Sequence, residues 1–317
     1  MIAGRASMEA THTEAEDLLA RLERVVHRLC CQYSTSPPGA LVCPAQRELQ
    51  AAGALFERRL SPPDARRLGA AAGWLNLLLT CLENDLGRRE GAWAHRDAAL
   101  RLGREAGDGN LVAWSFETPS WFALYDDQPQ TALDYALAGL KEAPAESSGL
   151  IMLRLKAASA WARLGRRTEA ERELEAAAAA VRRVPAPEHP QHHFVFDPPK
   201  FDSFAATAYV WLGLPERAQE HARVVIRSQT DGAAPTYNPT RLATARLDLG
   251  QVLLQLGRLD EAFAEGSRAF ETFPRRDSLV RARELNAEFR ARHAREPRSA
   301  EFHERYIEAL RSLGKRG

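Results

Sequence analysis

The chain has 317 residues, 45% of them apolar and 27% charged, with 43 Lys and Arg against 42 Asp and Glu. A formal net charge of +1 gives no overall field to draw it to nucleic acid or an anionic membrane. The length admits two ordinary domains or one repeat array. No apolar run reaches the roughly 18 residues of a membrane span, and the N-terminus lacks the apolar stretch of a signal peptide. The cysteines Cys30, Cys31, Cys43 and Cys81 form no CxxC pair, which suits free thiols in a reducing cytoplasm.

In chain order, residues 1–12 read as a loose tail. Thr13 with Glu16 forms a capping-box pattern and predicts a helix from there to about residue 33. Leu18, Leu22, Val25, Val26 and Leu29 share one face of it. That face has no evident home if the remainder closes upon itself, so 13–33 is the expected partner or homodimer helix. STSPPGALVCP interrupts it, a second helix is expected over roughly 45–60, and Ser61-Pro62-Pro63 starts the next.

From residue 64 the chain repeats. Aligned on a turn residue, five units carry Gly87, Asp127, Gly165, Gly213 and Gly257. Asp replaces Gly once, at a position suited to left-handed backbone. Five residues on stand Ala92, Ala132, Ala170, Ala218 and Ala262; seven further stand Ala99, Gly139, Ala177, Val225 and Ala269. Small residues there allow close helix approach. Pro144 and Pro274 follow as helix stops. The linker at 182–203 holds five prolines over 185–199, which forbid helix there. Phe194, Val195 and Phe196 suit an extended apolar plug, and Asp197 suits an N-cap. Two closing helices, roughly 276–293 and 299–313, would cap the last unit. The expected organisation is 1–63 as N-terminal helices, 64–275 as the array and 276–317 as the C-terminal cap.

These units resemble the tetratricopeptide repeat: small residues mid-helix, Gly at the turn, Ala opening the second helix, Pro closing it. Turn spacings of 38 to 48 residues exceed that repeat's roughly 34. The resemblance implies an all-α fold, a right-handed superhelix of about five helix–turn–helix units with extra helices at both ends. The segments LNLLLTCLENDLGRREGAWAHRDAALRLGREAGD, FDPPKFDSFAATAYVWLG and PTRLATARLDLGQVLLQLGRLDEAFAEGSRAF further resemble the C-terminal sensor region of actinobacterial XRE-type helix-turn-helix regulators. Those regulators carry a DNA-binding domain ahead of the repeats, which residues 1–12 are too few to hold. Direct DNA binding is therefore not expected, and the start reads as that of a stand-alone or truncated relative.

Repeat arrays of this kind bind on the concave wall formed by the first helix of each unit. The turn register places Trp74 and Asn84, then Trp114, Glu117 and Trp121, then Ser159, then Lys200 and Thr207, then Gln251 on that wall. Met152, Ser203 and Thr244 fall beside them. Aromatics with scattered polar groups suit a peptide, a protein segment or a small apolar ligand; the same tryptophans equally suit helix packing. His189, His192 and His193 with Asp197 read as solvated loop side chains rather than metal ligands. His27, Cys30 and Cys31 read as helix packing. The pairs Arg58-Arg59, Arg66-Arg67, Arg88-Arg89, Arg182-Arg183 and Arg275-Arg276 read as solvated helix ends. No GxSxG, HExxH, GxxxxGK[ST] or GxGxxG motif occurs, so neither an enzyme nor a cofactor is expected. The expected function is a cytoplasmic ligand or partner sensor in gene regulation. Its rivals are a pure protein scaffold and a biosynthetic enzyme or accessory factor that uses the groove as a pocket.

Overall fold

The computed structural model describes the backbone at residues 2–58, 60–230, 237–271 and 275–314. Among these residues every regular element is helical. The helices are α1 (Ile2–Gln32), α2 (Pro38–Phe56), α3 (Pro62–Asp85), α4 (Arg89–Ala106), α5 (Gly109–Tyr125), α6 (Pro129–Leu140) and α7 (Ser148–Arg163). They continue as α8 (Arg167–Val181), α9 (Pro198–Trp211), α10 (Pro215–Thr230), α11 (Pro239–Gln255), α12 (Leu259–Arg268), α13 (Arg276–Arg292) and α14 (Pro297–Gly314). One 3₁₀ turn, Ala269–Glu271, follows α12.

The helices pack in adjacent pairs: α3 with α4, α5 with α6, α7 with α8, α9 with α10, and α11 with α12. The first members also pack on one another in the order α3, α5, α7, α9, α11, α13. The five expected turn residues all take positive φ: Gly87 at 76°, Asp127 at 59°, Gly165 at 71°, Gly213 at 67° and Gly257 at 74°. Behind each, the next residue donates its N–H to the carbonyl five back. The pairs are Arg88 to Glu83, Gln128 to Ala123, Arg166 to Trp161, Leu214 to Tyr209 and Arg258 to Leu253, at 2.8–3.0 Å. One recurring Schellman-type cap thus makes all five corners.

The small residues behave as their spacing predicts. Ala132, Ala170, Ala218 and Ala262 are wholly buried and Ala92 nearly so, as are Ala99, Ala177 and Val225 seven positions later. Gly139 shows the closeness required, because an added Cβ there would lie 2.6 Å from Phe116 Cβ and 2.8 Å from Leu153. One continuous core runs from Leu19 in α1 to Val252 in α11. A second gathers α10 to α14 around Phe289 and Phe302, whose rings stand 5.0 Å apart.

Several expectations need correction. The expected loose tail over 1–12 is helical from Ile2 onward: α1 begins there and passes through Thr13, which is not an N-cap. No proline interrupts 2–32, so helix propagates through a capping pattern that would start one elsewhere. The second helix starts at Pro38, not near residue 45; Pro37 ends the break and Pro38 takes the first helical position, where a missing N–H is harmless. The apolar face of α1, expected to lack a home within the chain, has one. Leu19, Leu22, Val26, Leu29 and Cys30 are buried in the main core, with α2 and α3 packed over them. Asp197 stands at the N-cap position of α9, but its side chain makes no cap bond. Pro198 and Pro199 present no N–H, which leaves the carboxylate for another partner. Pro144 follows the end of α6 as expected. Pro274 and Arg59 lie outside the described residues, as does the Arg276 side chain.

Candidate functional site: an aromatic chamber

The inner faces of α5, α7, α9 and α11 do not line an open groove. The segment 192–196 enters between them and α3. Phe194 is buried between Trp74 and Trp114, at ring-centroid distances of 5.3 and 5.4 Å. Phe196 is buried as well. The His193 N–H donates to the Cys30 carbonyl at 3.2 Å, which ties the plug to α1. Lys200, one turn into α9, holds the segment from the other side by donating to the carbonyls of His193 (2.9 Å) and Val195.

A second closure joins the two ends of the chain. Arg275, just before α13, pairs with Asp85 at the end of α3 at 2.6 Å. It also donates to the carbonyls of Tyr33 and Ser36, and its guanidinium lies 4.3 Å from the centroid of the Tyr33 ring. The Tyr33 hydroxyl donates to the same Asp85 carboxylate at 2.9 Å. Asn238 donates to the Ser34 hydroxyl at 3.1 Å. Arg275 is buried, so it is a clasp rather than a solvated helix end.

Between plug and clasp remains a cavity of about 140 Å³. Trp114, Trp121, Phe204, Trp211, Tyr33 and Tyr125 form its aromatic walls. Glu117, Ser159, Ser203, Thr207, Thr244 and Met152 also face it, with Lys156, Lys200, Arg241, Arg275 and His193. The polar groups are fixed by local bonds. Lys156 pairs with Glu117 at 3.3 Å, both almost wholly buried, and its ammonium sits 4.2 Å from the Phe204 ring centroid. Arg241 makes a two-pronged contact with Asp197 at 2.7 and 3.0 Å, the partner the missing cap bond left available. Thr207 donates to Asp248 at 2.6 Å, and Asp248 accepts from Arg281 at 2.8 Å. Arg281 in turn covers the Trp211 ring at 5.0 Å.

Of the nine groove residues read from the sequence, Trp114, Glu117, Trp121, Ser159, Lys200 and Thr207 converge on this cavity. Trp74, Asn84 and Gln251 do not. The Trp74 indole donates to Asp108 at 3.0 Å, and Phe194 fills the space between it and Trp114. Asn84 lines a separate hollow of about 100 Å³ among α3, α4, α5 and α6. Gln251 is half-buried two turns beyond Thr244 on α11, past the end of the cavity. Trp114 and Trp121 are buried in the core and also line the cavity.

Sequence reasoning missed Tyr33, His193, Phe204, Trp211, Arg241 and Arg275. Phe204 and Trp211 lie one position from the assumed register, at Ser203 and Val210, on a helix whose described sides are mostly covered. Tyr33, His193 and Arg275 belong to connections, where helical spacing carries no signal.

The loop histidines also depart from expectation. His193 lies at the cavity wall and His192 is half-buried; only His189 is exposed. Burial, reinforced by Lys200, holds His193 well below the usual imidazole range. Burial and neighbouring His27 bring His192 down to about 3. The His27 ring stacks on His192 at 5.1 Å and meets His189 edge-on at 4.5 Å, while Cys31 Sγ lies 3.5 Å from His27 Nε2. The described residues contain no group of three or more His, Cys, Asp or Glu arranged to hold a metal ion. Burial lowers Lys200 to about 8, the nearby Asp197 opposing that shift.

Fold and site together define an all-helical protein whose paired helices enclose an aromatic chamber with buried cations. No helix among the described residues is long and apolar enough to cross a membrane. No protein-family model and no curated protein matches the sequence. Among solved structures, the chain is similar to BtubC (BKLC) from P. vanneervenii, with a TM-score of 0.51 at 17% identity, over 81% of this chain and 94% of that one. At that identity the likeness concerns the fold alone.

Proposed function

We propose that this chain is a non-enzymatic helical-repeat sensor whose units stack as a right-handed, tetratricopeptide-like superhelix, and that it holds a small ligand to regulate a partner, as in the sensor regions of XRE-type regulators. The carrying observation is the cavity of about 140 Å³ walled by three tryptophans. A mostly apolar hollow with a few oriented polar groups is what small-ligand sites share. Its size suits a small molecule, which supports the sensor reading over the scaffold rival. A ligand that favours one arrangement of stacked units would shift how the outer helices are presented. Native mass spectrometry of protein purified from its own host tests this. A small-molecule mass increment, with a ligand-dependent change in scattering radius, is the expected result. A ligand-free chain that no small molecule stabilises against heat would overturn it.

A second reading has its own support. Lys200, lowered to about 8, shares the cavity wall with Glu117 and the neutral His193, so acid and base groups converge on one mostly apolar cavity. That arrangement suits an enzyme or an accessory factor of a biosynthetic pathway. Recovery of a ligand chemically altered after incubation would favour it over sensing.

A further inference from the structure

We infer that the chamber takes a small planar aromatic monoanion, with the Lys200 ammonium as its charge partner; this rests on reading the cavity as a ligand site. Four cations line the cavity: Lys156, Lys200, Arg241 and Arg275. Three have a dedicated buried carboxylate, Glu117 at 3.3 Å, Asp197 at 2.7 Å and Asp85 at 2.6 Å respectively. Lys200 differs. Among the described residues its hydrogen bonds go to two backbone carbonyls, those of His193 and Val195. An ammonium carries three donors; among the described residues the third has no hydrogen-bond acceptor, the ammonium lying 5.5 Å from the centroid of the Trp114 ring. The neighbouring His193 adds no charge, since burial keeps it neutral. Among the described residues the chamber therefore carries one positive charge that no side-chain carboxylate hydrogen-bonds, Asp197 and Glu117 acting on it only through space, and a buried charge of that kind favours an anionic partner.

Position supports the same assignment. At Lys200 the main cavity meets a side space of about 40 Å³, and the two share Lys200, Arg241, Asn238, Ser34 and His193. That junction is polar, its one lining carboxylate, Asp197, being paired with Arg241, whereas the larger space is walled by Trp114, Trp121, Phe204 and Trp211. The main volume of about 140 Å³ is close to the roughly 150 Å³ of an apolar cavity known to take up benzene. One ring in the aromatic part would place its acid group at Lys200.

Three probes of one shape and different charge test this: benzoate, benzamide and benzylamine, titrated calorimetrically at neutral pH with melting temperature as a second readout. Benzoate should bind about ten- to a hundredfold more tightly than benzamide, the scale of a charged hydrogen bond, and benzylamine should not bind. Lys200→Met should reduce benzoate to the level of benzamide and leave benzamide unchanged. Ser203→Phe, which fills the chamber from α9, should abolish both. Should Lys200→Met fail to fold, the comparison on the native chain still decides. Equal binding of benzoate and benzamide, or preference for benzylamine, overturns the charge assignment and leaves the cavity a ligand site. Failure of all three probes overturns the inference, and the host-purified mass measurement then judges the sensor reading separately.

Discussion

Helices α5 and α10 belong to equivalent repeats yet differ in kind. Thirteen of the 17 residues of α5 are buried, against four of 16 in α10. The inner helix is covered by its neighbours α3, α6 and α7 and fronts the chamber, while the outer one shows a plain amphipathic stripe of Ala218, Ala222, Val225 and Gln229. An outer helix needs small residues where it meets its partner and solvated groups elsewhere. An inner helix must also satisfy polar groups that never reach water, which Glu117 and Lys156 do by pairing with each other across α5 and α7 and Asp248 of α11 does by pairing with Arg281 of α13.

The largest expected effect tests that inner network. Asp248 is wholly buried between Thr207 and Arg281, and Asp248→Ala should cost about 3 kcal/mol in denaturant unfolding because it leaves Thr207 without its acceptor and the buried Arg281 with Glu284 as its remaining carboxylate. Next comes the seam between inner and outer helices: Gly139→Ala should cost about 1–3 kcal/mol by overpacking against Phe116 and Leu153. A Cβ added at Gly213 would meet no neighbouring atom, so in Gly213→Val the backbone strain at its positive φ leads, and a loss of about 1–2 kcal/mol is expected. No change in melting temperature there would refute the common corner.

The plug should respond to pH. The His192 imidazole is lowered to about 3 from an ordinary 6.5, so the unfolded chain takes up its proton first as pH falls. Stability is therefore fully present above about pH 6.5 and is lost progressively from there toward pH 3. His193 acts in the same direction. His192→Gln should flatten this limb of a melting-temperature profile, and an unchanged slope would argue against burial of the plug. The smallest effect belongs to the outer surface: Glu105→Ala removes an exposed pair with Arg101 and should move stability by less than about 0.5 kcal/mol.

The same contrast explains what the sequence revealed. The five corners, the small residues behind them and the outer helices follow a 3.6-residue period, so Gly87, Asp127 and Ala170 announce their places. The wall positions Trp114, Glu117, Trp121 and Lys200 emerged once the corners fixed the register. The enclosure did not. Phe194 was legible as a plug, but nothing local states that it lies against Trp74 and removes that residue from the wall. Arg275 looks like any basic helix end until Asp85 and Tyr33 are placed beside it. Likewise the apolar face of α1 looked unclaimed, because its cover comes from α2 and α3 through packing that no periodicity records.

The Arg275 clasp also orders events in time. Asp85 leaves the ribosome 190 residues before the cation that pairs with it, and the Tyr33 carbonyl 242 residues before its donor. While synthesis is under way, the growing polypeptide can assemble α3 to α9 with the chamber still unfastened on that side. Fastening waits for the segment that carries Arg275, so a growing polypeptide that has not reached it holds the wall residues of α5, α7 and α9 without that bolt.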